Sequence, residues 1–218
     1  MKKLISVLLC IMLFTFSACK KKQSPHEKNI SQLRQEIFVA HTDNYTVFLY
    51  PEKRENPLDN DGQVGKIENF VIIKLIFKNQ QPETDVFNVQ FTINNIPYSG
   101  KFEYKPISNL LQCIVKVEDI NFNSLYATLK CGNETNALNF APQKNSSTVN
   151  HLDALNYLKE NDSTAKELLS LNDYEIRIRL IDNDGYDYWF IGIISNEKNV
   201  SFLLDGESAE ILAKKDLV

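Results

Sequence analysis

Hydrophobic and polar residues alternate with a period of two along much of the chain from residue 36 onward. In segment 70–77, for example, Val71, Ile73 and Leu75 share one face while Lys74 lies on the other. The same alternation occurs in further segments, at 37–41, 45–50, 87–93, 101–105, 111–117 and 125–131. This period is typical of β-strands that bury one face, and turn residues separate the segments. We therefore expect an antiparallel β-sandwich, immunoglobulin-like in architecture, over residues 36–141.

A polar segment and a change of period follow this β-region. Residues 142–150 are rich in polar and turn-forming residues, which is typical of a linker. Three leucines then recur at helical spacing, and they are Leu152, Leu155 and Leu158. Asp162 or Ser163 can cap a second short helix, because both side chains accept hydrogen bonds from free backbone N–H groups.

The period of two returns in residues 174–180 and continues toward the end of the chain. Asp184 and Gly185 predict a tight hairpin turn between two of these strands, since both central residues of a type I′ turn need positive φ. Residues 151–218 therefore predict a small domain of helices followed by a β-meander. Together with the β-sandwich before it, this domain makes the predicted overall class α+β.

The first 18 residues have the composition of an export signal. Lys2 and Lys3 precede an apolar run, Leu4 to Phe16, which is shorter than the roughly 20 residues that a membrane-spanning helix needs. The small residues Ser17 and Ala18 follow, as expected before a cleavage site.

The sequence Ser17-Ala18-Cys19 resembles the lipobox of bacterial lipoproteins. This resemblance implies that Cys19 becomes the first mature residue, carries lipid, and anchors the protein to the extracytoplasmic face of the cell membrane. Residues 19–35 would then be a lipid anchor and polar tether, with a short helical turn over 30–35. Two alternatives are a plain secretory signal cleaved after Ala18 and an uncleaved membrane helix.

The C-terminal segment, from about residue 151 to residue 214, resembles the PepSY family. A helix precedes meandering strands, and the ending carries Asp205, Ser208, Ile211 and Leu212 where the family pattern has them. The resemblance implies a small exported α+β module that is often attached to other domains. It also implies regulation or inhibition of extracytoplasmic proteases, which has been proposed for some members, and it transfers no catalytic residue.

The charge balance argues against a nucleic-acid partner. The net charge is −4 at pH 7, and the sequence shows no basic stripe that would follow a phosphate backbone. The local basic cluster, Lys20 to Lys22, lies beside the expected anchor. There it would favour anionic lipid head groups by about 1 kcal/mol per charge.

The sequence carries no strong metal or catalytic motif. D-N-D-G occurs at 59–62 and 182–185, and it can form either a calcium loop or a tight turn. A calcium loop would need an acid two residues earlier, where the chain has Pro57 and Leu180. Of the two twelfth positions, Glu68 matches while Ile191 does not, which favours turns. His26, His41 and His151 lack the spacing of zinc ligands, and no G-x-S-x-G motif is present. We therefore predict no metal, no cofactor and no enzymatic activity.

Cys113 and Cys131 are candidates for a disulfide. Each lies on the apolar face of a predicted strand, and a turn centred on Phe122 would place them opposite each other in an antiparallel pair. An exported protein permits oxidation, so they can form a bridge. The alternative is that both are buried thiols that pack as small hydrophobic groups.

Four aromatic residues form the best candidate for a ligand-binding face. Tyr186, Tyr188 and Phe190 share one face of a predicted strand, and Trp189 lies on the other. One of these faces must pack in the core, while the other can stack on a sugar ring or a peptide. The alternative is that all four residues serve core and edge packing.

These observations predict a membrane-anchored, non-catalytic module that binds an extracytoplasmic protein or glycan. A second possibility, which follows from the PepSY resemblance, is a regulator or inhibitor of an extracytoplasmic protease. A third possibility, from a different class, is a hydrolase of cell-wall or carbohydrate substrates. A cleft with two close carboxylates would favour this third possibility.

Overall fold

A computed structural model describes residues 25–79 and 86–217, and within these ranges it contains fourteen β-strands and two α-helices. The strands of the first half are β1 (Ile30–Arg34), β2 (Phe38–His41), β3 (Tyr45–Glu55), β4 (Ile67–Phe77), β5 (Phe87–Ile93), β6 (Ile96–Lys101) and β7 (Glu103–Lys105). They are followed by β8 (Leu110–Val117), β9 (Leu125–Cys131) and β10 (Glu134–Pro142). The second half contains α1 (His151–Asn161), α2 (Ser163–Leu168), β11 (Glu175–Asn183), β12 (Tyr186–Ile194), β13 (Asn199–Asp205) and β14 (Ile211–Leu217).

The predicted signal segment and Cys19 lie outside the described residues. Between residues 25 and 217, none of the described helices combines the length and the apolar character needed to span a membrane.

All fourteen strands belong to one mixed sheet. A continuous path runs β14-β13-β12-β11-β1-β3, and β4, β8 and β7 continue it beyond β3. β1 is the central link, because it pairs in parallel with β11 and antiparallel with β3. β2 pairs with the N-terminal half of β3 and with the C-terminal end of β10. From β10 the pairing continues to β9, then to β5, and ends at β6.

The predicted α+β class is wrong. The described residues are 55% strand and 11% helix, and the two α-helices among them accompany one large mixed sheet. The sequence analysis expected an immunoglobulin-like sandwich and a separate helix-plus-meander domain. The meander β11–β14 does follow the helices, but β1 joins it edge to edge with the first half of the chain. The expected helical turn over 30–35 is this strand, and the described helical turn lies earlier, at Glu27–Asn29.

The first core forms where the sheet folds back on itself. Strands β5, β9 and β10 pack against β2, β3, β4 and β8, and apolar side chains from both layers meet between them. Fully buried members include Leu49, Ile73, Leu129 and Phe140. Each such side chain contributes about 1.5–3 kcal/mol when it leaves water.

The second core forms where α1 and α2 cover one face of β11, β12 and β13. Its fully buried members include Leu155, Leu158, Ile176 and Trp189. Asn150 caps α1 by accepting hydrogen bonds from the N–H groups of the first turn. Asp162 caps α2, as one of the two caps that the sequence predicts.

The two D-N-D-G segments occur where one strand leads to the next, and the one at 182–185 forms a turn. Asp184 and Gly185 have φ values of 55° and 83°, and they connect the last pair of the β11–β12 hairpin, which confirms the predicted turn. The other segment lies in the connection between β3 and β4, where the carboxylate of Asp61 accepts the backbone N–H of Gln63 at 3.0 Å. This connection, residues 56–66, borders the site described next.

Candidate functional site

All four arginines of the chain lie in a single cleft. The protein contains twenty lysines but only four arginines, and the arginines are Arg34, Arg54, Arg177 and Arg179. Together with Lys74 they line a depression on the sheet face that points away from both cores. We call this site the arginine cleft. Its volume of about 640 Å³ lies in the range of small-molecule binding sites.

The register of the central strands brings these residues together. In the parallel pair of β1 and β11, Gln32 lies opposite Arg177 and Arg34 lies opposite Arg179. In the antiparallel pair of β1 and β3, Gln32 lies opposite Arg54. Successive side chains of a strand point to opposite faces, so these polar residues share one face while the neighbouring apolar residues enter the cores.

Aromatic rings support the cations on the side of the cleft toward β4 and β12. The guanidinium carbon of Arg34 lies 4.5 Å from the ring centroid of Tyr50, and Lys74 Nζ lies 5.2 Å from the same centroid. The guanidinium carbon of Arg179 lies 4.2 Å from the ring centroid of Phe190. The negative face of each ring attracts these cations and holds them in place.

Two of the arginines are paired with buried carboxylates. Arg177 donates a 2.8 Å hydrogen bond to Glu175, and Arg54 lies 3.8 Å from a carboxylate oxygen of Glu52. The same oxygen of Glu52 accepts a 2.9 Å hydrogen bond from Gln32. Both glutamates are almost completely buried. These pairs partly neutralise one end of the cleft.

The other three cations form no direct salt bridge with a carboxylate among the described residues, although the charge of Glu52 acts on all three and favours their charged forms. Among the described residues, no carboxylate lies within salt-bridge distance of Arg34, Lys74 or Arg179. Burial lowers the pKa of Arg34, and burial together with the charge of Arg34 lowers the pKa of Arg179. Burial and then the charges of Arg34 and Arg179 lower the pKa of Lys74. The fold therefore holds three like charges close together in a partly desolvated place.

Several hydrogen-bond donors in the cleft are unused. The Nε–H groups of Arg54, Arg177 and Arg179 are buried and have no hydrogen-bond partner within the part of the chain that the structure describes. A buried donor without a partner costs about 1–3 kcal/mol. These Nε–H groups lie below the accessible surface of the cleft, so a ligand would meet the positive charge of the side chains, which suits negative charge and oxygen acceptors.

The connection between β3 and β4 closes one side of the cleft. Leu58 and Asn60 line the cleft, and the backbone carbonyl of Asp59 accepts a hydrogen bond from Arg177. Gly62 has a φ of 74° and packs against the turn after β12, where an added Cβ would lie 3.3 Å from the Cα of Ser195. The connection thus reaches from the first half of the sheet to the second and borders the cleft.

The predicted aromatic face is divided between three environments. Trp189 is fully buried in the second core, where its Nε1 donates a 3.1 Å hydrogen bond to the carbonyl of Val149. Tyr186 is exposed at the tip of the hairpin, and Tyr188 is half-buried on the outer face. Of the four predicted residues, Phe190 is the one that lines the arginine cleft.

Cys113 and Cys131 are buried in the first core and are not joined by a disulfide. The strands that carry them do not pair with each other, because β8 pairs with β4 and β7 while β9 pairs with β5 and β10. The predicted register is therefore wrong, since the chain passes from one layer of the first core to the other between these strands. Burial raises the pKa of the Cys113 thiol to about 11.

The sequence analysis did not select the cations of the cleft. Lys74, Arg177 and Arg179 lie on the polar face of well-defined amphipathic strands, where charged residues usually need no special explanation. Arg34 falls within the expected tether. The available signal was the rarity of arginine in a chain that uses lysine almost everywhere else. Arginine differs from lysine because its planar fork binds oxyanions through two parallel hydrogen bonds.

Comparison of the chain with known protein families, with curated proteins and with solved structures finds no match. The functional argument therefore rests on the arginine cleft and on the N-terminal segment.

Proposed function

We propose that this chain is a membrane-anchored extracytoplasmic binding protein that takes up an anionic ligand in the arginine cleft. The observation that carries the proposal is the convergence of all four arginines on one site. The cleft is a recognition site in this proposal, and the protein is a non-catalytic module.

The electrostatic contrast between the cleft and the rest of the molecule supports this function. The whole chain has a net charge of −4, yet among the described residues five cationic side chains and one carboxylate, that of Glu52, line the cleft. A cleft of one sign in a protein of the other sign attracts oppositely charged ligands and directs them to that place. Its confined shape suits a small anionic group better than an extended nucleic acid, whose backbone needs a long basic surface.

The affinity of the cleft for anions can be tested by thermal unfolding. The stability of the protein in phosphate or sulfate is compared with its stability in chloride at the same ionic strength. An anion at 100 times its Kd should stabilise the protein by about 2.7 kcal/mol. Arg179→Met should abolish this increment, because it removes a cation of the cleft that forms no salt bridge with a carboxylate among the described residues. These anions also stabilise proteins without binding to a site, so Lys130→Met, at an exposed position of β9, is the matched control. Equal stabilisation of both variants would contradict the proposal.

The anchored location rests on the lipobox-like sequence at Ser17-Ala18-Cys19. Lipid attachment needs the thiol of Cys19, so Cys19→Ser should release the protein from the membrane fraction and change the mass of the mature form. Cys131→Ser is the matched control, because this thiol is buried in the first core. A Cys19→Ser protein that remains membrane-bound with unchanged processing would contradict the location.

A further inference from the structure

We infer that the ligand of the arginine cleft is a phosphomonoester, whose phosphate lies among Arg34, Lys74 and Arg179. This inference rests on the proposed function, because it specifies the anion that the cleft takes up. It follows from the number of unpaired charges, from the arrangement of the two arginines, and from the different character of the neighbouring part of the cleft.

The charge of the site fits a phosphate group better than a carboxylate. Arg34, Lys74 and Arg179 are three cations without a carboxylate in salt-bridge contact among the described residues. A phosphomonoester carries a charge of about −1.5 to −2 at pH 7 and presents three terminal oxygens. A carboxylate carries one charge and two oxygens, so it would leave more of the positive charge unbalanced. Three cationic donors around one centre match three terminal oxygens.

The two arginines are placed to bind one oxyanion from adjacent strands. Arg34 and Arg179 lie opposite each other in the parallel pair of β1 and β11, where neighbouring strands are about 4.8 Å apart. Each guanidinium rests on a ring, Arg34 on Tyr50 and Arg179 on Phe190. The rings restrict the two planar forks before any ligand binds, which lowers the entropy cost of bidentate hydrogen bonding.

The neighbouring part of the cleft has a different character. Arg54 and Arg177 lie one repeat further along the strands, about 7 Å away, where both are paired with buried glutamates. Their charges are therefore compensated by the carboxylates of Glu52 and Glu175. This end suits polar, uncharged groups such as hydroxyls. The cleft as a whole fits a phosphate ester of a polar compound rather than inorganic phosphate.

The second ionisation of phosphate, near pH 6, provides a direct test. Calorimetric titration with methyl phosphate should give a Kd about four times higher at pH 5.5 than at pH 7.5, because the dianion fraction falls by that factor. Methyl sulfate keeps one negative charge throughout, so its Kd should change little. It meets the same protein groups, which are the five cations, Glu52, Glu55, Glu175, Tyr50 and Asp182, so a change in its Kd reports any contribution of the protein to the pH dependence.

Variants locate the phosphate within the cleft. Arg179→Lys keeps the charge but removes the fork, and it should raise the Kd for methyl phosphate at least tenfold. Lys74→Gln should raise the same Kd and reduce the preference for phosphate over sulfate. Lys130→Gln, at an exposed position of β9, is the control and should leave both Kd values unchanged. Equal effects of the cleft variants and the control would place the phosphate elsewhere and overturn the inference.

The source of the phosphate is distinguished by three probes. If glycerol phosphate binds more tightly than inorganic phosphate, the result supports a soluble phosphomonoester as the ligand. If inorganic phosphate binds more tightly, the inference that the ligand is an ester is wrong. Binding to phosphatidic-acid vesicles, without binding to glycerol phosphate, assigns the same group to a lipid. If methyl sulfate and methyl phosphate bind equally at both pH values, the phosphate inference fails while the proposed anion binding stands. If none of these anions binds, both fail.

Discussion

Single residues in the cleft destabilise the unliganded protein, and the examples are Arg34, Lys74 and Arg179. Burial lowers the pKa of all three, and the charge of Arg34 further lowers the pKa of Lys74 and of Arg179. All three nevertheless remain charged near pH 7, since their ordinary pKa values are far higher. Natural binding sites often retain such unfavourable groups because the ligand needs them.

Lys74→Met should therefore stabilise the unliganded protein. Removing one of three like charges from a partly desolvated place should raise the free energy of unfolding by about 0.5–1 kcal/mol. Urea unfolding followed by circular dichroism measures the change. Lys53→Met, at an exposed position of β3, is the control and should have little effect. A Lys74→Met protein that is less stable than the wild type would show that the cations do not oppose folding.

Trp189 should matter for stability rather than for binding. Trp189→Phe removes buried volume and the hydrogen bond to the carbonyl of Val149, so it should cost about 2–3 kcal/mol of unfolding free energy. Tyr186→Phe removes a hydroxyl from a side chain that is 69% exposed, and it should change stability by less than about 0.5 kcal/mol. Chemical denaturation followed by circular dichroism compares the two. Equal stabilities would show that Trp189 is not part of the core.

At the scale of elements, β1 has the greatest influence on the architecture. It lies between β3 and β11, so its backbone groups bond on both sides. Native-state hydrogen exchange should therefore find the amides of Gln32 and Leu33 protected as strongly as those in β11. Exchange at the rate of an unstructured tether would contradict the central position of β1.

The connection between β3 and β4 can be tested with a pair of glycines. Gly62 and Gly185 both have positive φ, which costs alanine about 1 kcal/mol at either position. Only Gly62 packs closely, since nothing lies within 4 Å of an added Cβ at Gly185. Gly62→Ala should therefore lose about 1–2 kcal/mol more than Gly185→Ala, and it alone should weaken anion binding. Similar behaviour of both variants in thermal unfolding and titration would show that the connection does not border the site.

At the scale of the whole molecule, two cores share one sheet. Because β1 and β3 connect both halves, we expect the cores to unfold together. Phe140→Ala, in the first core, should lower the unfolding midpoint equally in circular dichroism and in the fluorescence of Trp189, the sole tryptophan, in the second core. A fluorescence midpoint that stays at the wild-type value would contradict this coupling.

The extent to which sequence predicts this molecule depends on how local each feature is. The alternation in 70–77 and the turn at Asp184-Gly185 are local patterns, and both correspond to the observed elements. β1 was missed because its residues are mostly polar and its partner in β11 lies about 145 positions away. The arginine cleft was missed for the same reason, since it combines positions 34, 54, 74, 177 and 179 through strand pairing.

The most direct test of anion binding observes the four arginine side chains themselves. Nitrogen-15 labelling of arginine gives four Nε–H signals in a nuclear magnetic resonance spectrum, one for each arginine of the chain. Single Arg→Lys variants assign them. Titration with methyl phosphate should move the signals of Arg34 and Arg179 most, with saturation at the Kd measured by calorimetry. Four signals that stay unchanged at concentrations that stabilise the protein would show that the anion binds elsewhere.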